Sequence, residues 1–125
     1  MNELVLIVDD NDKNLKLARD VLRFAGFQTL EAANGAACLS LAADHRPEVI
    51  LMDIRLPDID GVEALLRLKE DEATAAIPVV ALTSFAMKGD RERLLAAGFD
   101  GYLEKPISVR AFPEQVRAFC RSPQD

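Results

Sequence analysis

Four apolar residues, Val49 to Met52, run directly into a carboxylate at Asp53. A turn-rich segment, Ile54-Arg55-Leu56-Pro57-Asp58-Ile59-Asp60-Gly61, follows at once. An unbroken apolar run of this kind reads as a strand buried on both faces, the situation of a central strand in a parallel sheet. Asp53 then stands at the strand's carboxyl end, the edge at which ligands bind in open α/β sheets. A carboxylate is costly to bury there unless a cation or hydrogen bonds compensate. The rest of the chain has to provide that compensation.

The same signature recurs along the chain. Leu4-Val5-Leu6-Ile7-Val8 is a second apolar run, and it ends in Asp9-Asp10. From Asn11 the period changes: Leu15, Ala18, Val21, Leu22 and Ala25 fall on one helical face, with Lys13, Lys16, Arg19, Asp20 and Arg23 mostly on the other. Asp10, Asn11 or Asp12 can cap this helix, a capping role being preferred over a chemical one for Asp12, and Gly26 ends it. Phe27 to Ala32 reads as a short strand. Asn34-Gly35 turns the chain into an Ala- and Leu-rich helix from Ala36 to Ala43, closed by Pro47, with His45 a helix-end residue. After the central strand, Gly61 to Asp71 has helical periodicity. Asp58 and Asp60 before it have a turn role beside Gly61 and no assigned chemistry.

Ile77 to Leu82 is another apolar strand, with Pro78 tolerable only at its start. It runs into Thr83-Ser84. Lys88 to Ala97 reads as a helix with a mostly polar first half, ended by Gly98. Gly101-Tyr102-Leu103 leads to Glu104-Lys105-Pro106, and Ser108 is placed to cap a last helix running to about Cys120. Strand and helix alternate five times, which implies a parallel sheet with helices on both faces and right-handed crossovers. The expected architecture is a flavodoxin-like, doubly wound, five-stranded α/β sheet of order 2-1-3-4-5 with five helices. One domain covers residues 1–121, and residues 122–125 form a polar tail.

Charge and cysteine content narrow the function classes. The net charge of −6 leaves no basic face for nucleic acid. No apolar run approaches the length of a membrane span, and Met1 leads almost directly into a strand, so neither membrane nor signal peptide is expected. Cys38 and Cys120 read as packed, reduced thiols of a cytoplasmic protein.

At the strand ends stand Asp9 and Asp10, Asp53, Thr83 and Lys105. Converging carboxylates repel one another unless a divalent cation joins them. Oxygen donors without His or Cys favour a hard ion, Mg²⁺ above all, which usually works beside phosphate. Thr83 supplies a hydroxyl and Lys105 a point charge suited to phosphate. A carboxylate nucleophile, a metal, a hydroxyl and a lysine make a phosphoryl-accepting site.

With Asp9-Asp10, Asp53, Thr83-Ser84 and Lys105-Pro106 in this order, and Tyr102 three residues before the lysine, the chain resembles the receiver domains of two-component response regulators, the CheY-like family. Phe85 to Asp90 and Lys105 to Val109 carry a closer likeness to its stand-alone members. The resemblance implies that Asp53 accepts a phosphoryl group from a sensor histidine kinase or a histidine phosphotransfer protein. It implies Mg²⁺ held by Asp9, Asp10 or both, together with Asp53 and the backbone carbonyl of Arg55. It also implies phosphoryl contacts from Thr83 and Lys105, a switch formed by Thr83 and Tyr102, a cis Lys105–Pro106 bond, and output through binding of a downstream protein.

Two alternatives remain open: a receiver cut from a larger hybrid kinase or regulator, and an aspartyl-phosphate phosphatase. The second needs an acid two residues after the nucleophile, where Arg55 cannot serve. A nucleotide carrier would need a Gly- or Ser-rich loop after the first strand, where Asp9-Asp10-Asn11-Asp12 is anionic. Two features stand apart. Lys16, Arg19 and Arg23 form a basic stripe that is either a solvated face or a docking surface. Pro113, five residues after the Ser108 cap, is expected to bend or tighten the first turn of the last helix.

Overall fold

The computed structural model describes residues 3–83, 88–105 and 107–120. In chain order the elements are β1 (Leu4–Val8), α1 (Asp12–Phe24), β2 (Gln28–Ala32), α2 (Gly35–His45), β3 (Val49–Asp53), α3 (Gly61–Glu70), β4 (Val79–Thr83), α4 (Lys88–Ala97), β5 (Gly101–Glu104) and α5 (Phe112–Phe119). The five strands pair in parallel in the order β2-β1-β3-β4-β5, as the alternation of elements predicts.

β1, β3 and β4 read as continuous apolar runs because both faces of each are covered. Leu6, Val8, Ile50, Met52, Val79 and Ala81 point into one core, completed by Ala64, Leu65 and Leu68 of α3 and Leu94 of α4. Val5, Ile7, Val49, Leu51, Val80 and Leu82 point into the other, completed by Leu15, Val21 and Leu22 of α1 and Phe112 and Val116 of α5. Alternate side chains of one strand thus feed opposite layers.

Helix boundaries follow local chemistry. Of the three candidate caps it is Asn11 that caps α1, its side chain accepting from the amides of Lys13 and Asn14, and Asp12, expected to have a capping role, stands in the first turn. There its charge faces the positive end of the helix. Asn34 caps α2, which runs on to His45, past the expected end at Ala43, before Arg46 takes a left-handed conformation ahead of Pro47. The longer helix is possible because the break is made at Arg46–Pro47 and nothing in Ala43-Asp44-His45 opposes helix.

The last helix departs from expectation. It begins at Phe112, not at Ser108, with Ala111 at the cap position and Pro113 in its first turn. Ser108 still organises the entry: its hydroxyl accepts from Ala111 N–H at 3.2 Å and its carbonyl from Phe112 N–H at 2.8 Å. A proline in the first turn lacks only an amide that has no helical partner anyway. Pro113 therefore marks where α5 starts rather than bending it. The expected cis bond falls on Pro106, outside the described residues, as do the polar tail and Ser84 to Met87.

Cys38 is buried and Cys120 partly buried. Both are free; burial pushes Cys38 up to about 12 and Cys120 up to about 11.

Candidate functional site

Sheet register brings the acidic residues together. Val8 is the partner of Met52, so Asp9 and Asp53 leave adjacent strands side by side. Asp53 is in turn the partner of Leu82, which places Thr83 one residue beyond it on the next strand. Asp9 is buried at 1% exposure, Asp53 sits at the edge of burial at 9%, and Asp10 faces solvent. One carboxylate oxygen from each of the three lies within 4.8 Å of the others.

Lys105 closes the group. Its Nζ donates to Asp9 Oδ2 at 2.8 Å and to Asp53 Oδ2 at 2.8 Å. The remaining oxygen of each carboxylate is held by the chain's own backbone: Asp9 Oδ1 accepts from Asn11 N–H at 2.9 Å and Asp53 Oδ1 from Arg55 N–H at 3.0 Å. The two aspartates thus have matching partners, a lysine on one oxygen and the amide two residues on at the other. Burial alone would push the Lys105 ammonium down. Its hydrogen bonds to Asp53 and Asp9, with their negative charge, outweigh that and hold it above its ordinary value.

Lys105 is positioned through the backbone as well. Its N–H donates to the carbonyl of Thr83 at 2.8 Å, which ties the end of β4 to the loop after β5. Thr83 itself is buried. Tyr102, on β5, does not join the acidic group; it lies half-buried against the α2–α3–α4 core. The Arg91 guanidinium of α4 stands 5.3 Å from its ring centroid, a cation–π contact.

The loop from Ile54 to Asp60 is fastened at both ends. Gly61 N–H donates to Ile54 O at 2.9 Å, and a Cβ at Gly61 would meet Ile54 Cα at 2.7 Å, so only glycine permits this approach. Asp60 caps α3 through Glu63 N–H. The turn reading of Asp58 misses its main contact: Asp58 accepts from Gly35 N–H at 2.8 Å and Ala36 N–H at 3.0 Å, across to α2. Those hydrogen bonds hold its carboxyl below the usual carboxylate range. Asn11, whose backbone N–H orients Asp9, is marked by the sequence only as a candidate cap.

The basic stripe on α1 is engaged by its neighbours. Lys16 pairs with Asp20, Arg19 with Asp20 and Glu31, and Arg23 Nε donates to Thr29 Oγ1 at 2.8 Å. Beside Asp9 and Lys105, the side chains of Ile7, Leu17, Ala18, Leu82 and Ile107 line a small apolar cleft. Among the described residues no helix is long and apolar enough to cross a membrane.

The donor set suits a hard divalent cation. It consists of carboxylate oxygens alone, and each oxygen that accepts one hydrogen bond retains a further lone pair.

Comparison with known proteins gives concordant results. Residues 5–117 match the response regulator receiver domain. The chain is 46% identical over 119 residues to the polar-differentiation response regulator DivK of Brucella anthropi, covering 95% of this chain and 97% of that protein. Among solved structures it is similar to the receiver domain of a Pseudomonas aeruginosa sensor histidine kinase, with a TM-score of 0.83, 34% identity and 95% coverage of both chains; that structure has a magnesium ion coordinated in its active-site cleft. The chemotaxis response regulator CheY4 of Vibrio cholerae shares the fold, with a TM-score of 0.88 at 24% identity over 95% of this chain and 99% of that one.

Proposed function

The chain belongs to the response regulator receiver domain family of two-component signalling, and from that membership we propose that it is a stand-alone cytoplasmic regulator that accepts a phosphoryl group on Asp53. The donor is a phosphohistidine on a sensor histidine kinase or a histidine phosphotransfer protein. The output is phosphorylation-dependent binding of a downstream protein.

The single observation that carries this reading is the bridging of Asp9 and Asp53 by Lys105 at the carboxyl edge of β1 and β3. The lysine lies in hydrogen-bond contact with the carboxylate that would attack. Its rigid placement, by Thr83 O on one side and two carboxylates on the other, puts a cation where an incoming phosphoryl group carries its charge. In the transfer, an Asp53 oxygen attacks phosphorus, the P–N bond to the donor imidazole breaks, and a P–O bond to Asp53 forms. Lys105 and the Thr83 hydroxyl then meet the phosphoryl oxygens. Asp9, Asp10, Asp53 and the Arg55 carbonyl would hold Mg²⁺, which would supply further positive charge at the same place.

Output runs through the other side of the site. The Thr83 hydroxyl turns toward the phosphoryl group, and Tyr102 moves into the space released. α4 shifts between two arrangements that already exist in equilibrium.

The test is direct. Incubate the protein with Mg²⁺ and acetyl phosphate, then follow intact mass and released phosphate. A receiver gains one labile phosphoryl group with slow release. Rapid turnover without an accumulated adduct would instead make it a phosphatase, and an unchanged mass would remove the phosphoryl-acceptor reading altogether.

A further inference from the structure

The loop that follows Asp53 carries Arg55, whose amide holds the acceptor carboxylate and whose carbonyl is the proposed fourth metal donor. What fixes the middle of this loop is not within it. Asp58 reaches α2, an 11-residue helix, and takes both of its first two amides, Gly35 N–H on Oδ1 and Ala36 N–H on Oδ2. Its Oδ1 also accepts from Ile59 N–H at 2.9 Å, which folds the next residue against the same helix end. Ile59 packs so closely there that a Cβ at Gly35 would lie 2.4 Å from Ile59 Cγ1. Glycine at the helix start and the carboxylate on the loop are thus two halves of one contact.

The accounting at the helix end is complete. Asn34 Oδ1 accepts from Ala37 N–H and Asn34 O from Cys38 N–H, so Asp58 supplies what the helix's own cap leaves unmet. α2 has no acidic residue in its first turn, and Asp58 places a negative charge at its positive end from outside. The loop is therefore held at three points: Arg55 on Asp53, Asp58–Ile59 on α2, and Gly61 on Ile54. The Arg55 carbonyl lies between the first and the second.

We infer that Asp58 is a positioning residue for the acceptor site, strapping the Arg55 segment to α2 so that the Mg²⁺ donors are held in place before the ion arrives. It makes no contact with the reacting atoms; it acts through the loop. The inference rests on the acceptor reading given above. Partners that orient metal donors from outside typically change affinity by about tenfold or more when removed.

The experiment compares wild type, Asp58→Ala, Asp58→Asn and Asn34→Ala, each well below its thermal midpoint. Mg²⁺ affinity is read by calorimetry or amide chemical shifts, and phosphoryl uptake from acetyl phosphate by intact mass. Asp58→Ala should bind Mg²⁺ about tenfold more weakly and take up phosphoryl correspondingly more slowly. Asp58→Asn, which keeps one acceptor oxygen, should fall between. Asn34→Ala removes a cap from the same helix end without touching the loop. It should lower the thermal midpoint yet leave Mg²⁺ affinity at the wild-type value. Wild-type Mg²⁺ affinity in Asp58→Ala overturns the inference, and so does an equal loss in Asn34→Ala, which would trace the effect to helix stability. A wild type that takes up no phosphoryl overturns the acceptor reading instead, while the Mg²⁺ titrations still decide the role of Asp58.

Discussion

Helices α1 and α4 cover opposite faces of one sheet and are attached to it very differently. α1 is capped by Asn11 and buries Leu15, Ala18, Val21 and Leu22. Over residues 91–97 of α4, only Leu94 is buried, while Arg91, Glu92, Arg93, Leu95 and Ala96 are exposed. At about 2 kcal/mol per buried aliphatic side chain, α1 is held by on the order of 5 kcal/mol more than this part of α4. The difference has a functional sense. α1 borders the edge where the proposed phosphoryl transfer requires Asp9 and Lys105 to stay fixed, whereas α4 borders Tyr102, where the proposed output requires movement at low cost.

The strongest challenge to this contrast is a pair of core truncations. Leu22→Ala should lower the unfolding free energy by about 4 kcal/mol. Leu94→Ala should cost about half that, because α4 can detach locally and so limit the loss. Amide exchange over residues 91–97 should then approach that of an open segment while α1 stays protected. Equal global losses with α4 still protected would show that the two helices are equally anchored.

The fixed edge can be challenged next. Lys105→Ala leaves two largely buried carboxylates without their cation and should cost about 3 kcal/mol. Millimolar Mg²⁺ should restore part of that loss, since it gives the carboxylates another cation. The wild type has a matching pH signature. Because the folded Lys105 value is raised, its stabilisation is complete below the ordinary lysine value of 10.5 and is lost as pH climbs through the higher folded value. A Lys105→Ala variant should lack that alkaline loss. Unchanged stability in the variant would show that the ion pairs contribute nothing net.

How much of this was legible beforehand differs between the same two regions. The strand order followed from the alternation of elements, and the acidic group from the strand-end positions of Asp9 and Asp53. The α4 boundaries were legible from Gly98 and the polar run. Contacts between distant segments were not. Asp58 lies 23 and 22 residues from the α2 amides it holds, and no local pattern distinguishes a turn aspartate from one that caps another helix. The start of α5 was misplaced for a related reason. Ser108 has the chemistry of a cap, but Pro113 fits without strain only near a helix start, which moved that start to Phe112. The basic stripe of α1 was legible as charge but not as pairing, since Glu31 and Thr29 come from β2.

The smallest effects sit on the movable side. Thr83→Ala should still take up phosphoryl but lose most of the phosphorylation-dependent gain in partner affinity, because the coupling hydroxyl is gone. Arg91→Ala removes the cation over Tyr102, a contact worth about 0.5–1 kcal/mol at an exposed site, and should shift partner affinity by roughly two- to fivefold. Partner titrations with and without a phosphoryl mimic check both. A full wild-type gain in Thr83→Ala would remove the hydroxyl from the coupling, and unchanged affinity in Arg91→Ala would remove the arginine.

The central claim is that the end of β3 is where the phosphoryl group is bonded. Borohydride reduction of the phosphorylated protein converts an acyl-phosphorylated aspartate to homoserine, and peptide mass mapping then locates it. The account predicts homoserine at position 53 alone, in amounts that follow Mg²⁺ and acetyl phosphate. Homoserine at position 9 or 10, or none in a protein whose mass shows the adduct, would contradict it.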